Sequence, residues 1–241
     1  MDTGSAAEIL EGSNCIASVL NRVKSGKEAD VYCCEAQAYL GVDLLAAKVY
    51  RPLESRGFRN DTVYQQGRFI QNSRLRRAYQ NKSRVGRQVQ FDLWVSAEYE
   101  ALKMLHAAGA RVPAPYEILG NAIVMEYVGT PAEPAPTLSR VRLCREEAVR
   151  ISKEILQEVN LWLSCRRVHA DLSSYNILYE NGAITIIDFP QAVDPEQNPD
   201  AFGLLLRDLE RVAEYFGKLG VIIDPFQNAR SLWNANSCWK L

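Results

Sequence analysis

Apolar residues return every three to four positions in three long stretches of this chain. They run together or alternate in several shorter ones. Phe91 to Ala108 sets Leu102 and Leu105 on one helical face. Arg145 to Cys165 carries Val149, Ile155, Leu156, Val159 and Trp162–Leu163, and Phe202 to Phe216 carries Leu205, Leu206, Leu209, Val212 and Phe216. Such spacing predicts amphipathic helices whose stripes are core. Ile9 to Val23 reads as a further short helix ahead of the first strand. Strand-like runs occupy Leu44 to Tyr50 and Ala122 to Val128, the second entered through Val112-Pro-Ala-Pro115 and a Gly120-Asn121 turn. Ile177 to Tyr179 and Ala183 to Ile187 flank Asn181-Gly182, a strong hairpin signal. The order predicts an α+β chain of two lobes. Residues 1–128 form a sheet-based N-terminal lobe, with a basic loop at about 51–87 and the helix that holds Glu98. Residues 129–241 form a reduced C-terminal lobe, reached through the proline-rich Thr130 to Thr137. Leu232 to Leu241, with Trp233 and Trp239, caps that smaller lobe.

The hairpin gives the candidate chemistry its shape. Upstream of it, V-H-A-D-L-S-S-Y-N holds Asp171 and, five residues on, Asn176; the returning strand ends in I-I-D-F with Asp188. This is the spacing of kinase-type phosphoryl transfer. One Asp orients the acceptor or takes its proton, the Asn holds a metal, and the second Asp bridges metal to phosphates. Lys48 lies inside the apolar strand L-L-A-A-K-V-Y. A lysine there is costly unless it is paired or aimed into a site, so it reads as the strand lysine that binds nucleotide phosphates. Its expected partner is Glu98 on the following helix. Glu100 is the rival, roughly 200° around the helix. Lys24 to Tyr32 is a turn leading into a strand, where a phosphate-covering loop belongs, although only Gly26 in it is glycine and, taken by itself, it reads first as a plain hairpin turn.

The segments S-G-K-E-A-D-V-Y, A-A-K-V-Y, M-E-Y-V-G, H-A-D-L-S-S-Y-N and I-I-D-F-P-Q-A-V, in order from about Lys24 to Phe216, together resemble the RIO family of atypical protein kinases. The resemblance implies a two-lobed kinase-like fold with a truncated C-terminal lobe. It implies ATP with magnesium, manganese being a substitute, and serine/threonine kinase or ATPase activity. Carried over residue by residue, Asp171 is the catalytic Asp, Lys48 binds phosphate with Glu98 beside it, and Asn176 and Asp188 bind metal. Asp188 is also the site of a transient aspartyl phosphate. Ser25, Gly26, Lys27 and Val31 belong to the nucleotide loop. Met125, Glu126 and Tyr127 form the hinge beside adenine, with Ala46 above the base and Leu178 below it. The phosphate acceptor is left open between another protein and the chain itself, and a role in small-ribosomal-subunit maturation is implied.

Departures from ordinary protein kinases matter too. Ala170 stands where an Arg normally precedes the catalytic Asp, so activation by loop phosphorylation is not expected. Pro190 replaces the Gly of D-F-G and fixes φ there. No A-P-E segment follows, and the chain is read as compact, without an added winged helix. Asp208 matches a helix Asp that anchors the catalytic loop; a surface salt bridge with Arg207 or Arg211 is the other reading. His169 is read as structural. Two other classes stay open: a small-molecule phosphotransferase of the aminoglycoside or choline kinase type, and a non-catalytic assembly factor that binds ATP and RNA.

The net charge of −1 over 241 residues conceals an uneven distribution. Arg51 to Arg87 holds ten Arg or Lys against Glu54 and Asp61. This segment is either a solvated loop or a contact for ribosomal RNA or a pre-ribosome, with Tyr79 or Phe69 available to stack. No apolar run reaches the length of a membrane span, and no signal peptide is seen at the start. The six cysteines form no C-x-x-C, which points to a reduced, cytoplasmic setting and no zinc.

Overall fold

The computed structural model describes residues 3–51 and 84–236, with side chains from 6 to 51 and from 91 to 236. Most of the basic segment, together with Cys238 and Trp239, lies outside the described residues. Two compact units appear, one of residues 3–51, 84–103 and 113–134, the other of residues 104–112 and 135–236.

The first unit is built on an antiparallel sheet in the order β1-β2-β3-β5-β4. Its strands are β1 (Ile16–Ser25), β2 (Ala29–Ala36), β3 (Leu44–Tyr50), β4 (Pro115–Leu119) and β5 (Ala122–Glu126). On one face Tyr32, Leu45, Val49 and Val124 pack against Ala6 and Leu10 of α1 (Thr3–Leu10). On the other, Tyr50 meets Trp94 of α2 (Arg84–Ala107) edge to face at 4.6 Å. In α2, Phe91, Trp94, Val95, Glu98, Leu102 and Leu105 are buried at intervals of three and four. The helix starts seven residues before the apolar stripe shows it.

The expected helix over Ile9 to Val23 is not there. α1 ends at Leu10, Gly12 adopts φ +89°, and Ile16 to Ser25 pairs with β2. A residue in the left-handed region stops the helix, and glycine takes that conformation without a Cβ penalty. β1 is a weakly patterned edge strand. Its register with β2 shifts at three places, so the alternation that marks a strand is broken.

The second unit centres on α3 (Arg145–Ser164) and α4 (Ala201–Gly217). Cys144 caps α3 in a capping box with Glu147, and Ile151, Ile155, Val159 and Trp162 line its buried face. The hairpin is β6 (Ile177–Glu180) and β7 (Ala183–Ile186), with Ile177 opposite Ile186. Asn181 at φ 50° and Gly182 at φ 84° give a turn whose twist suits the strands. α5 (Pro225–Asn236) closes the unit. Trp233 packs on Phe202 with ring centres 5.4 Å apart, and Asn236 donates to Asn160 Oδ1 at 2.9 Å. The C-terminal cap is therefore a helix that begins at Pro225. Its apolar stripe is too sparse to read from Leu232 onward. All five described cysteines are free thiols, and burial pushes Cys34 up to about 12. Among the described residues no helix is long and apolar enough to cross a membrane.

Candidate active site

Lys48 and Glu98 lie in the first unit, and Asp171, Asn176 and Asp188 lie in the second. In the first, β3 is central in its sheet, so alternate residues must be buried on both faces. Lys48 lies opposite Val31 and Ile123, and its Nζ reaches Glu98 Oε1 at 2.7 Å and Oε2 at 3.1 Å. Lys48 is 9% exposed and Glu98 1%. Two charges are removed from water only when they satisfy each other. Glu100, the rival, is exposed and pairs with Lys103. Two residues along β3, Ala46 lies directly opposite Met125, so the two positions expected beside a base are cross-strand neighbours. Glu126 accepts from the Ala114 N–H at 3.1 Å, and Tyr127 follows it, half-buried.

The S-G-K-E-A turn joins β1 to β2. Gly26 N–H donates to Ala29 O at 2.9 Å, and a Cβ on Gly26 would come within 3.0 Å of that same oxygen. Only glycine fits this close approach without displacing the turn. Lys27 is exposed and Val31 half-buried. Ser25 has a different surrounding. Its Oγ accepts from Arg51 Nη2 at 2.8 Å, and the same Nη2 donates to Asp30 Oδ1 at 2.8 Å. Burial alone would raise the Asp30 carboxyl; the hydrogen bonds from Arg51 and Ser25 and the guanidinium charge bring it below its ordinary value.

In the second unit, α4 organises the loop from His169 to Asn176. Asp208 is 2% exposed; Oδ2 accepts from the Ala170 N–H at 2.7 Å and Oδ1 from the Leu172 N–H at 3.0 Å. Arg207 donates to Ala170 O at 2.6 Å. These bonds hold Ala170 at φ 67°, a conformation that costs a non-glycine residue about 1 kcal/mol or more. Burial pushes the Asp208 carboxyl up to about 7 against the pull of the two N–H donors and of Arg207 and Arg211. One turn further, Arg211 donates to Asp171 Oδ1 at 2.7 Å.

Asn176 is the next anchor. Its Nδ2 donates to Asp171 O at 2.9 Å and to Asp171 Oδ2 at 3.4 Å, which leaves amide Oδ1 for another partner. Its own carbonyl accepts from the Ile187 N–H at 2.9 Å and brings the hairpin's end, with Asp188, beside it. Asp188 adopts φ 75°, which Asp tolerates better than most residues. Phe189 behind it is 1% exposed and packs 4.5 Å from His169 and 5.5 Å from Trp162. His169 Nδ1 accepts from the Asp171 N–H at 3.2 Å, so Nε2 carries the proton and donates to Ile187 O at 3.2 Å. Burial lowers its pKa, and the ring is a neutral strut between the two ends of the site. On β6, Leu178 is half-buried and bridged to Thr137.

The donor set fits magnesium. Asn176 Oδ1 and the Asp188 carboxylate are hard oxygen donors. Among the described residues no cluster of three or more His, Cys, Asp or Glu forms a protein-only cage. Magnesium in nucleotide sites takes one or two protein oxygens, completed by phosphates and water.

Three arginines were not legible in advance. Arg207 and Arg211 read as partners for Asp208 in a surface salt bridge, yet both reach past it to the loop. Arg51 reads as the first cation of a basic run, and nothing in the sequence separates it from the other nine.

Comparison with known proteins gives the arrangement its relatives. Residues 30–228 match the family model of the RIO domain. The chain is 31% identical over 223 residues to the Caenorhabditis elegans serine/threonine-protein kinase RIO1, covering 87% of this chain and 41% of that protein. It is 32% identical over 204 residues to the RIO-type serine/threonine-protein kinase Rio1 of Haloferax volcanii, covering 84% and 64%. It thus spans between two fifths and two thirds of these relatives. Among solved structures, the Rio2 kinase–ADP/Mg2+–phosphoaspartate complex from Chaetomium thermophilum superposes with a TM-score of 0.65 at 20% identity, covering 95% of this chain and 64% of that one. That likeness shows a kinase-like α+β fold, and the match of the RIO model across most of the sequence shows that the chain belongs to the RIO domain family.

Proposed function

We propose that this chain is an ATP- and magnesium-dependent phosphotransferase of the RIO serine/threonine kinase type, able to run as an ATPase. The observation that carries this reading is the hydrogen bond from Ile187 N–H to Asn176 O at 2.9 Å. It sets Asp188 next to an Asn whose amide is already fixed by Asp171, so acceptor-orienting and metal-binding groups share one rigid loop. The relatives named as kinases, and the ADP, magnesium and phosphoaspartate of the Chaetomium protein, support it.

In this reading Lys48, held by Glu98, neutralises phosphate charge, and the Ser25 to Val31 turn covers the phosphates. Ala46, Met125, Glu126, Tyr127 and Leu178 line the base. Asn176 and Asp188 would hold magnesium, which when bound would supply positive charge against the phosphates. Asp171 orients the acceptor oxygen and takes its proton. That oxygen bonds to the γ-phosphorus while the bond to the β–γ bridging oxygen breaks, and ADP leaves with the electron pair. When Asp188 itself is the acceptor, no proton is removed and a later attack by water releases phosphate. Manganese would substitute for magnesium at the same two oxygens. Family membership also supports a cytoplasmic role in ribosome maturation, with Arg51 to Arg87 as the RNA contact.

The test is γ-labelled ATP with magnesium, wild type against Asp188→Asn. Hydroxylamine-sensitive label on the wild type, absent from the variant, is the outcome expected of an ATPase cycle. Acid-stable label on Ser or Thr marks the kinase. Turnover unchanged in the variant would remove Asp188 from the mechanism. Turnover only with an aminoglycoside or choline would replace the reading.

A further inference from the structure

The sheet separates two sets of charged residues that the sequence places close together. Asp30 lies directly opposite Val49 and Ser25, whereas Lys48 lies opposite Val31. Neighbours along a strand point to opposite faces, so Ser25 and Asp30 share a face with Val49 and turn away from Lys48 and Glu98. Arg51, one residue past β3, closes this rear face. Its backbone N–H donates to Glu28 O at 2.9 Å, and its Nη2 bridges Ser25 Oγ and Asp30 Oδ1, both at 2.8 Å, while Nε reaches Asp30 Oδ2 at 3.3 Å. One side chain thus grips the last residue of β1 and the second residue of β2, and its backbone grips the turn between them.

We infer that Arg51 is a positioning residue for the nucleotide loop: from the sheet face opposite Lys48 it fixes both ends of the Ser25–Asp30 turn, so that the turn meets the phosphates already shaped. Three features separate this from an ordinary surface ion pair. Asp30 is fully buried, and a buried carboxylate without its cation is strongly unfavourable. The guanidinium engages both oxygens of that carboxylate, a geometry an ammonium does not reproduce. The turn is closed from within by the Gly26–Ala29 bond, so fixing its two ends fixes all of it. Pre-organising a loop lowers the ordering cost of ligand binding, and the benefit falls only on the ligand groups that the loop touches. Arg51 therefore contributes to phosphate affinity and not to adenine affinity.

The inference rests on the proposed nucleotide reading and is tested by titrating Mg·ADP and, separately, adenosine into the folded full-length chain. Wild type is compared with Arg51→Ala, Arg51→Lys and Asp30→Asn. The expected result is a loss of about tenfold in Mg·ADP affinity for Arg51→Ala and for Asp30→Asn, with adenosine affinity unchanged and the double variant no worse than either single one. Arg51→Lys should fall between, since it keeps the charge and loses the fork; it also supplies the reading if Arg51→Ala does not fold. Equal losses for ADP and adenosine would make Arg51 a stabiliser of the sheet alone, and unchanged ADP affinity would remove any role. A wild type that binds neither ligand would overturn the nucleotide reading itself, a result distinct from both.

Discussion

Lys48 and Glu98 show how much of a site one residue pair can carry. Both are almost fully buried, and Nζ sits 2.7 Å from Oε1. Removing one partner leaves a buried charge, which costs about 3–5 kcal/mol, whereas removing both with apolar residues of like volume is often close to neutral. Glu98→Gln should therefore lower both the urea midpoint and turnover. Replacing both by apolar residues, as Glu98→Leu with Lys48→Met, should restore most of the stability and none of the activity. Chemical denaturation and ATP turnover on the same three proteins, wild type included, check this, and recovery of turnover in the double variant would exclude Lys48 from phosphate binding. Lys48 was legible because an ammonium inside an apolar strand has few explanations. Glu98 was only half legible: helical periodicity put two glutamates within reach, and the packing of α2 on the sheet decided between them. Arg51 was hidden because its partners lie across two strands, and a register of that kind is set by hydrogen bonds that no local pattern prints.

At the scale of the element, α4 does the most. Its buried stripe of Leu204, Leu205, Leu209, Val212 and Phe216 locks it into the unit, and Arg207, Asp208 and Arg211 then hold three successive residues of the His169–Asn176 loop. Asp208 makes this anchoring depend on pH. Its folded pKa is raised to about 7, above the ordinary carboxyl value near 3.9 of an unfolded chain. Between those values the folded state binds more protons than the unfolded one, so its contribution to stability is full below about pH 4 and is lost as pH rises through 7. Urea midpoints from pH 4 to 8 should show this fall, and Asp208→Asn should remove that part of the slope. The same variant faces one loop N–H with an amide NH2, so turnover should drop at least tenfold at every pH. A slope identical in wild type and variant would mean that another group titrates. The elements with the clearest periodicity, α3, α4 and the β6–β7 hairpin, were legible to within a few residues. β1 was not, because its three register shifts erase the alternation that marks a strand, and its apolar residues then mimic a helical stripe.

Taken as a whole, the chain is nearly neutral, yet its cations are concentrated. Ten of its 28 Lys and Arg fall between residues 51 and 87, opposed by two acids. A nearly neutral protein gains little from long-range steering, so any RNA affinity must come from this local excess. Neutralising Arg74, Arg76 and Arg77 together should weaken binding to single-stranded ribosomal RNA and reduce the slope of log affinity against log salt by about 2, at roughly 0.7 for each phosphate that is no longer neutralised. Filter binding across a salt series measures both quantities, and an unchanged slope would assign the segment to solvent. The fold class and the order of the motifs were readable over most of the chain, because each motif is a short segment compact in sequence.

The packing behind Asp188 has an optical consequence. Trp162 is 1% exposed, with its ring 5.5 Å from Phe189 and 5.8 Å from His169, and Phe189 is the residue that follows Asp188. An indole held so close to a neutral imidazole is shielded from water, and its emission depends on where that imidazole and phenyl ring stand. The loop that carries Asp188 thus has a fluorophore packed behind it, on α3. In a chain with Trp94, Trp233 and Trp239 replaced by Phe, the remaining emission would follow that loop in real time, without any label.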